Sequence, residues 1–161
     1  MKWIILFLTM AFLGCSATRP TQVDIEQKRR VKMEMTSVLD MVRSRQMPPI
    51  EFKFNSAKLL STSYDLLDKI AGVLLRYPKF KLVVEGHTDY IGNPVSNKKL
   101  SYMRANSVKA YLVKRGIHPT VIRTYGFGDE RPIVDDKSDE ARALNRRVEF
   151  RIATRDWESI F

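Results

Sequence analysis

The chain has 161 residues, 44% apolar and 29% charged, ordinary values for a globular protein, which excludes a wholly disordered chain. Lys and Arg number 28 against 18 Asp and Glu, a net charge of +10 that favours anionic partners in general. The excess is spread along the chain without a dense basic stripe, so a solvated basic surface explains it and no nucleic-acid motif accompanies it.

The N-terminus, "MKWIILFLTMAFLGC", has a lysine, an apolar stretch from Trp3 to Leu13, then Gly14 and Cys15. As a helix the apolar stretch would span about 16 Å, against a hydrocarbon core of roughly 30 Å, so it reads as a signal peptide over residues 1–14. "FLGC" resembles the bacterial lipoprotein cleavage box, with Phe12 where that pattern usually has leucine. The resemblance implies cleavage before Cys15 and lipidation of Cys15, palmitate among the acyl chains. Ser16 follows rather than aspartate, which under the enteric sorting rule implies the outer membrane, periplasmic face. Cys15 is the sole cysteine, so no internal disulfide forms.

Residues 15–23 read as a short lipidated tether. Residues 24–47 follow, with Val31, Met35, Val38 and Val42 at helical spacing and Leu39 alongside. They predict an amphipathic helix, capped by Asp24 and stopped by Pro48-Pro49, that needs a surface on its own domain or on a partner. Residues 48–155 form the next unit, and 156–161 a tail. "IEFKF" (50–54) predicts a strand, and Ser61 or Thr62 caps a helix along Leu67, Ile70 and Leu74. "FKLVVEG" (80–86) predicts a strand. A helix follows from about Asn97 to Arg115, its apolar side marked by Leu100, Ala105, Val108 and Leu112 and closed by Gly116. Strand 120–127, short helix 139–146 and strand 147–153 complete the order β-α-β-α-β-α-β. The fold class is α/β (an α+β two-layer sandwich): a four-stranded mixed sheet with helices on one face, preceded by the amphipathic helix.

Asp89 lies just past a strand, in a turn-rich loop, and Arg104 lies on the apolar border of the next helix. A buried guanidinium needs a partner. Two readings stay open from spacing alone. Asp89 and Arg104 form an internal salt bridge, or they flank a gap for a zwitterion, with an ammonium on Asp89 and a carboxylate held by Arg104.

"GHTD", Gly92, "NKKLSYMRA" (97–105), "GFGDERP" (126–132) and "NRRVEF" (145–150) resemble, in order and spacing, the OmpA-like peptidoglycan-binding domain. With the cleavage box and tether, the architecture resembles that of peptidoglycan-associated lipoproteins. The resemblance implies non-covalent binding of the peptidoglycan stem peptide, at diaminopimelate or another diamino acid. Asp89 takes the amine and Arg104 the carboxylate on the same carbon. Asn55, Thr88, Asn97, Leu100 and Arg146 or Arg147 line the groove. Asn145 is a cap or a contact, His87 a packed histidine or a contact, and Asp129 and Arg131 are turn residues.

The implied function is a non-enzymatic tether of outer membrane to wall, with Tol-type envelope proteins as further partners. The alternative is a flagellar-stator-type or other envelope-complex component using the same domain as a wall anchor. A stator subunit needs a membrane helix carrying an acid, and residues 3–13 hold none. No serine has a nucleophile setting, and two histidines and one cysteine show no metal-ligand spacing. The sequence therefore points to no catalytic residue, no metal and no cofactor.

Overall fold

The computed structural model describes residues 21–153. The predicted signal segment, Cys15 and the predicted C-terminal tail lie outside the described residues.

Helix α1 spans Gln22–Arg43. Its N-cap is Thr21, not Asp24: the Thr21 hydroxyl accepts from Asp24 N–H, and the Asp24 carboxylate accepts from Thr21 N–H. Asp24 thus closes a capping box from the third helical position. The helix ends before the proline pair because Arg45 takes φ 57°, a left-handed turn that folds Gln46 and Met47 back onto the Met41 carbonyl. Val31 and Met35 are buried in the same core as the rest of the chain, so α1 packs on its own domain.

Residues 50–54 are not a sheet strand. Phe52 makes one isolated bridge to Leu59, and Asn55 at φ 47° turns the chain between them. The alternation holds for Ile50 and Phe52, which reach the core, but Phe54 is 99% exposed. The polar groups here are satisfied locally. Lys53 N–H donates to Lys58 O, Leu60 N–H to Glu51 O, and Glu51 N–H to the Ser63 hydroxyl. Ser61 and Thr62 lie in a 3-10 turn (Ser61–Ser63), and Thr62 donates to Glu51 Oε2 instead of capping the helix that follows. That helix, α2, runs Tyr64–Arg76.

Among the described residues the sheet has three strands, where four were expected: β1 Lys81–His87, β2 Ile122–Gly128 and β3 Val148–Ala153. Their order is β2-β1-β3, with β1 central, parallel to β2 and antiparallel to β3, a mixed sheet as expected. Leu82 and Val84 enter the core with Leu67, Ile70, Val108 and Leu112.

Helix α3 runs Pro94–Lys114. It starts three residues earlier than the apolar spacing predicts because Asn93 accepts from Ser96 N–H and Pro94 occupies the first turn. Its buried ridge is Asn97, Ser101, Ala105, Val108 and Leu112, small or polar at the N-terminal half. Leu100 and Arg104 are half-buried on the border. The cause is the closeness of the sheet. A Cβ on Gly86 would lie 2.1 Å from Ser101 O, and one on Gly126 would lie 2.4 Å from Tyr102 N. Only glycine lets α3 seat there. Helix α4 (Asp139–Asn145) is capped by Ser138 and delivers the chain to β3.

Candidate functional site

Asp89 is placed by the end of β1. The register of β1 on β2 skips a residue between Gly86 and His87, and Thr88 N–H donates to Gly128 O at 2.8 Å. Beyond it the carboxylate of Asp89 accepts from Ile91 N–H (3.1 Å), closing a turn. Asn97, buried in the first part of α3, donates from Nδ2 to the carbonyls of Asp89 (3.3 Å) and Ile91 (3.1 Å). Asn97 therefore ties the Asp89 loop to α3.

Arg104 is built from a different part of the chain. Its Nε donates to the Ser56 carbonyl (3.1 Å), and its guanidinium carbon lies 5.1 Å from the Phe52 ring centroid. The hairpin misread as a strand is thus the support of Arg104. These contacts use Nε and one face, and leave both Nη atoms without a protein hydrogen bond among the described residues. Burial pulls the guanidinium below its ordinary value, nearby Arg146 adds to this, and Asp89 opposes it. The three charged groups share one electrostatic neighbourhood.

Asp89 pairs with Arg146, whose Nη1 donates to Oδ2 at 2.7 Å. It does not form the internal bridge to Arg104 that spacing left open. The two arginines of "NRR" separate. Arg146 joins Asp89, while Arg147 donates to Glu149 Oε1 (2.6 Å) and to the carbonyls of Asn145 and Arg131. Asn145 is a buried brace: its side chain accepts from Ile133 N–H and donates to Val134 O. Asn55 is exposed at the hairpin tip beside Ser56. Thr88 is buried, lines a small cleft with Tyr90, Asp129 and Val134, and has a hydroxyl without a partner among the described residues. His87 is buried and stacked on Phe127, and burial, with Arg147 next, pushes its imidazole below the ordinary value. Sequence reasoning missed Phe52 and Ser56 as the seat of Arg104. The period-two placement of Phe52 on the core side was the available signal.

The arrangement gathers one carboxylate and two guanidiniums, held by separate elements, near the carboxyl end of a parallel strand pair. Fold and motif order define a mixed α/β domain, and residues 51–146 match the OmpA family model. The chain belongs to the OmpA family.

It is 40% identical over 100 residues to Outer membrane porin F of Pseudomonas fluorescens, covering 62% of this chain and 31% of that protein. It is 37% identical over 134 residues to the Probable lipoprotein YiaD of Escherichia coli, covering 80% of this chain and 61% of that one. It thus spans under two thirds of either relative. The peptidoglycan-associated lipoprotein of Burkholderia pseudomallei has a similar structure, with TM-score 0.61 and 25% identity over 65% of this chain and 88% of that one.

Proposed function

We propose that this chain is a non-enzymatic outer-membrane lipoprotein that grips peptidoglycan through the diamino acid of its stem peptide. The observation that carries this reading is the neighbourhood of Arg104 and Asp89. Arg104 is held by Ser56 O and Phe52, with both Nη atoms left for a carboxylate, and Asp89 supplies a carboxylate for an ammonium beside it. A group with both charges on one carbon fits this pair. The relatives' names support it: a 39% identical mycobacterial protein over 102 residues is the Peptidoglycan-binding protein ArfA. Asn97 shapes the Asp89 loop, Leu100 and Asn55 border the proposed clamp, and Arg146 competes with the incoming ammonium for Asp89.

The proposed anchor is lipid on Cys15, with the segment from there to the start of α1 at Gln22 as tether. Each buried acyl methylene contributes about 0.8 kcal/mol, so several chains anchor stably. No helix of the described residues is long and apolar enough to cross a membrane.

The test is sedimentation with purified peptidoglycan. Asp89→Ala and Arg104→Ala are expected to lose binding while keeping the native circular dichroism spectrum. If both still sediment with the wall, the zwitterion clamp is wrong. Cys15→Ala is expected to release the protein from membranes. The second reading, a wall anchor within a stator-type complex, is favoured by the likeness to the C-terminal domain of Helicobacter pylori MotB (TM-score 0.60, 26% identity). Membrane retention of Cys15→Ala would point to helix α1 as the anchor instead of lipid.

A further inference from the structure

The sheet has a second face. Leu82 and Val84 face the helices, so Val83, Glu85 and His87 point the other way. Glu85 stands directly opposite Glu149 of β3 in the antiparallel register. Two carboxylates opposed across strands repel each other, and Arg151 on Glu85 and Arg147 on Glu149 offset part of that repulsion. His87, two residues from Glu85, brings its imidazole to the same place. One ligand atom from each of Glu85, His87 and Glu149 lies within 4.8 Å of the other two.

His87 supplies the second, independent observation. It is 2% exposed, and neither ring nitrogen has a hydrogen-bond partner among the described residues. A buried imidazole with both nitrogens orphaned calls for an explanation. Stacking on Phe127 satisfies the ring face, not the nitrogens.

We propose that Glu85, His87 and Glu149 form a three-ligand site for a divalent transition metal of the zinc type. One imidazole and two carboxylates suit Zn²⁺ or Co²⁺, and three protein ligands leave a position for water. Closing the set needs a small movement, from 4.8 Å to the roughly 3.3 Å between ligands of a tetrahedral zinc. Side-chain rotation of Glu149, 40% exposed, supplies it.

Arginines already hold the carboxylates by one oxygen each: Arg151 Nη2 on Glu85 Oε1, and Arg147 Nε on Glu149 Oε1. Both guanidiniums oppose an incoming cation. Arg151 is the more exposed, 48% against 17%, so it is the one that swings away as metal enters. A loaded site pins β3 to β1 three residues from Arg146, steadying the strand end beside Asp89.

The test is Zn²⁺ titration of the full chain, followed by the ring resonances of its two histidines. His118 is exposed and bonded to Thr120, so it is the internal control. The His87 ring is expected to shift in a saturable, one-to-one manner. Glu149→Gln, at a partly exposed position that the fold tolerates, is expected to weaken binding at least tenfold. Arg151→Ala is expected to tighten it. A response confined to His118, no response of His87 at millimolar Zn²⁺, or unchanged affinity in Glu149→Gln overturns the proposal.

Discussion

Arg146 and Asp89, 57 residues apart, hold each other between the start of β3 and the end of β1, with Nη1 of Arg146 donating to Oδ2 of Asp89 at 2.7 Å. The Asp89 side chain is 13% exposed and that of Arg146 is 46% exposed. Asp89 therefore has an ion-pair partner within the chain. In the proposed clamp a ligand ammonium takes over one carboxylate oxygen from the half-exposed Arg146, whereas a ligand carboxylate meets Arg104, which Ser56 O and Phe52 already hold.

This unequal fixing sets a ranking. Arg146→Ala removes the half-exposed partner of a carboxylate that keeps another hydrogen bond, so stability is expected to change by about 1 kcal/mol. Asp89 keeps its bond from Ile91 N–H and stays in place. Wall binding is expected to fall by less than tenfold, well short of the loss in Arg104→Ala. Sedimentation isotherms of the two variants side by side check the order, and equal losses would mean that Arg146 holds ligand directly and as strongly.

Arg104→Lys tests geometry with the charge kept. Lysine has no Nε to give Ser56 O and no planar face for Phe52, and it cannot grip a carboxylate with two parallel bonds. Wall affinity is expected to fall more than tenfold, about 1.4 kcal/mol, with the fold intact. Retained affinity would show that only the positive charge matters.

Gly86→Ala is expected to damage both fold and site. The added methyl would lie 2.1 Å from the Ser101 carbonyl, a backbone atom that cannot turn aside. Overpacking of this kind costs about 1–3 kcal/mol, and more when backbone must move. Relief requires α3 to lift, which carries Asn97 and Arg104 away from Asp89. A thermal midpoint lowered by several degrees together with weakened wall binding is the expected pair of results. An unchanged midpoint would show that α3 is not pressed on β1 so tightly.

Periodicity made α2, α3, β1, β3 and the mixed sheet legible, because Leu67, Ile70, Val84 and Val108 repeat at the spacing that burial demands. It failed at residues 50–54. Alternation reports which side chains point inward, as Ile50 and Phe52 do, but not whether the backbone finds a sheet partner. The missing partner was replaced by the local bonds to Lys58, Leu60 and Ser63, which no spacing announces. The motifs located Asp89 and Arg104, yet neither the Ser56 carbonyl behind Arg104 nor the split between Arg146 and Arg147 is written in local sequence. One is a backbone atom, and the other follows from the bend at Arg146, where the chain leaves α4 for β3. Glu149 was missed as a neighbour of Glu85 for the same reason: cross-strand register joins residues 64 positions apart.

Helix α1 is tied to α2 by a charged contact with a definite acid dependence. Glu34 Oε1 accepts from the Tyr77 hydroxyl at 2.6 Å, and Oε2 accepts from Arg76 Nε at 3.1 Å. The Tyr77 bond first, then Arg76, hold the Glu34 carboxyl below its ordinary value of 4.5. A carboxyl lowered in the folded state contributes stability that is fully present above its unfolded value and is lost as pH falls through the folded one. The contribution is thus present at pH 7, begins to fade near pH 4.5, and is gone once folded Glu34 is protonated. Glu34→Gln is neutral at every pH. The variant is expected to melt below the parent chain at pH 7, with the gap narrowing as the pH falls below 4.5 and the parent's own Glu34 takes up its proton. Thermal melts of both chains across that range check it. A gap that does not narrow as the pH falls would mean that shape and hydrogen bonding, rather than charge, hold α1 against α2.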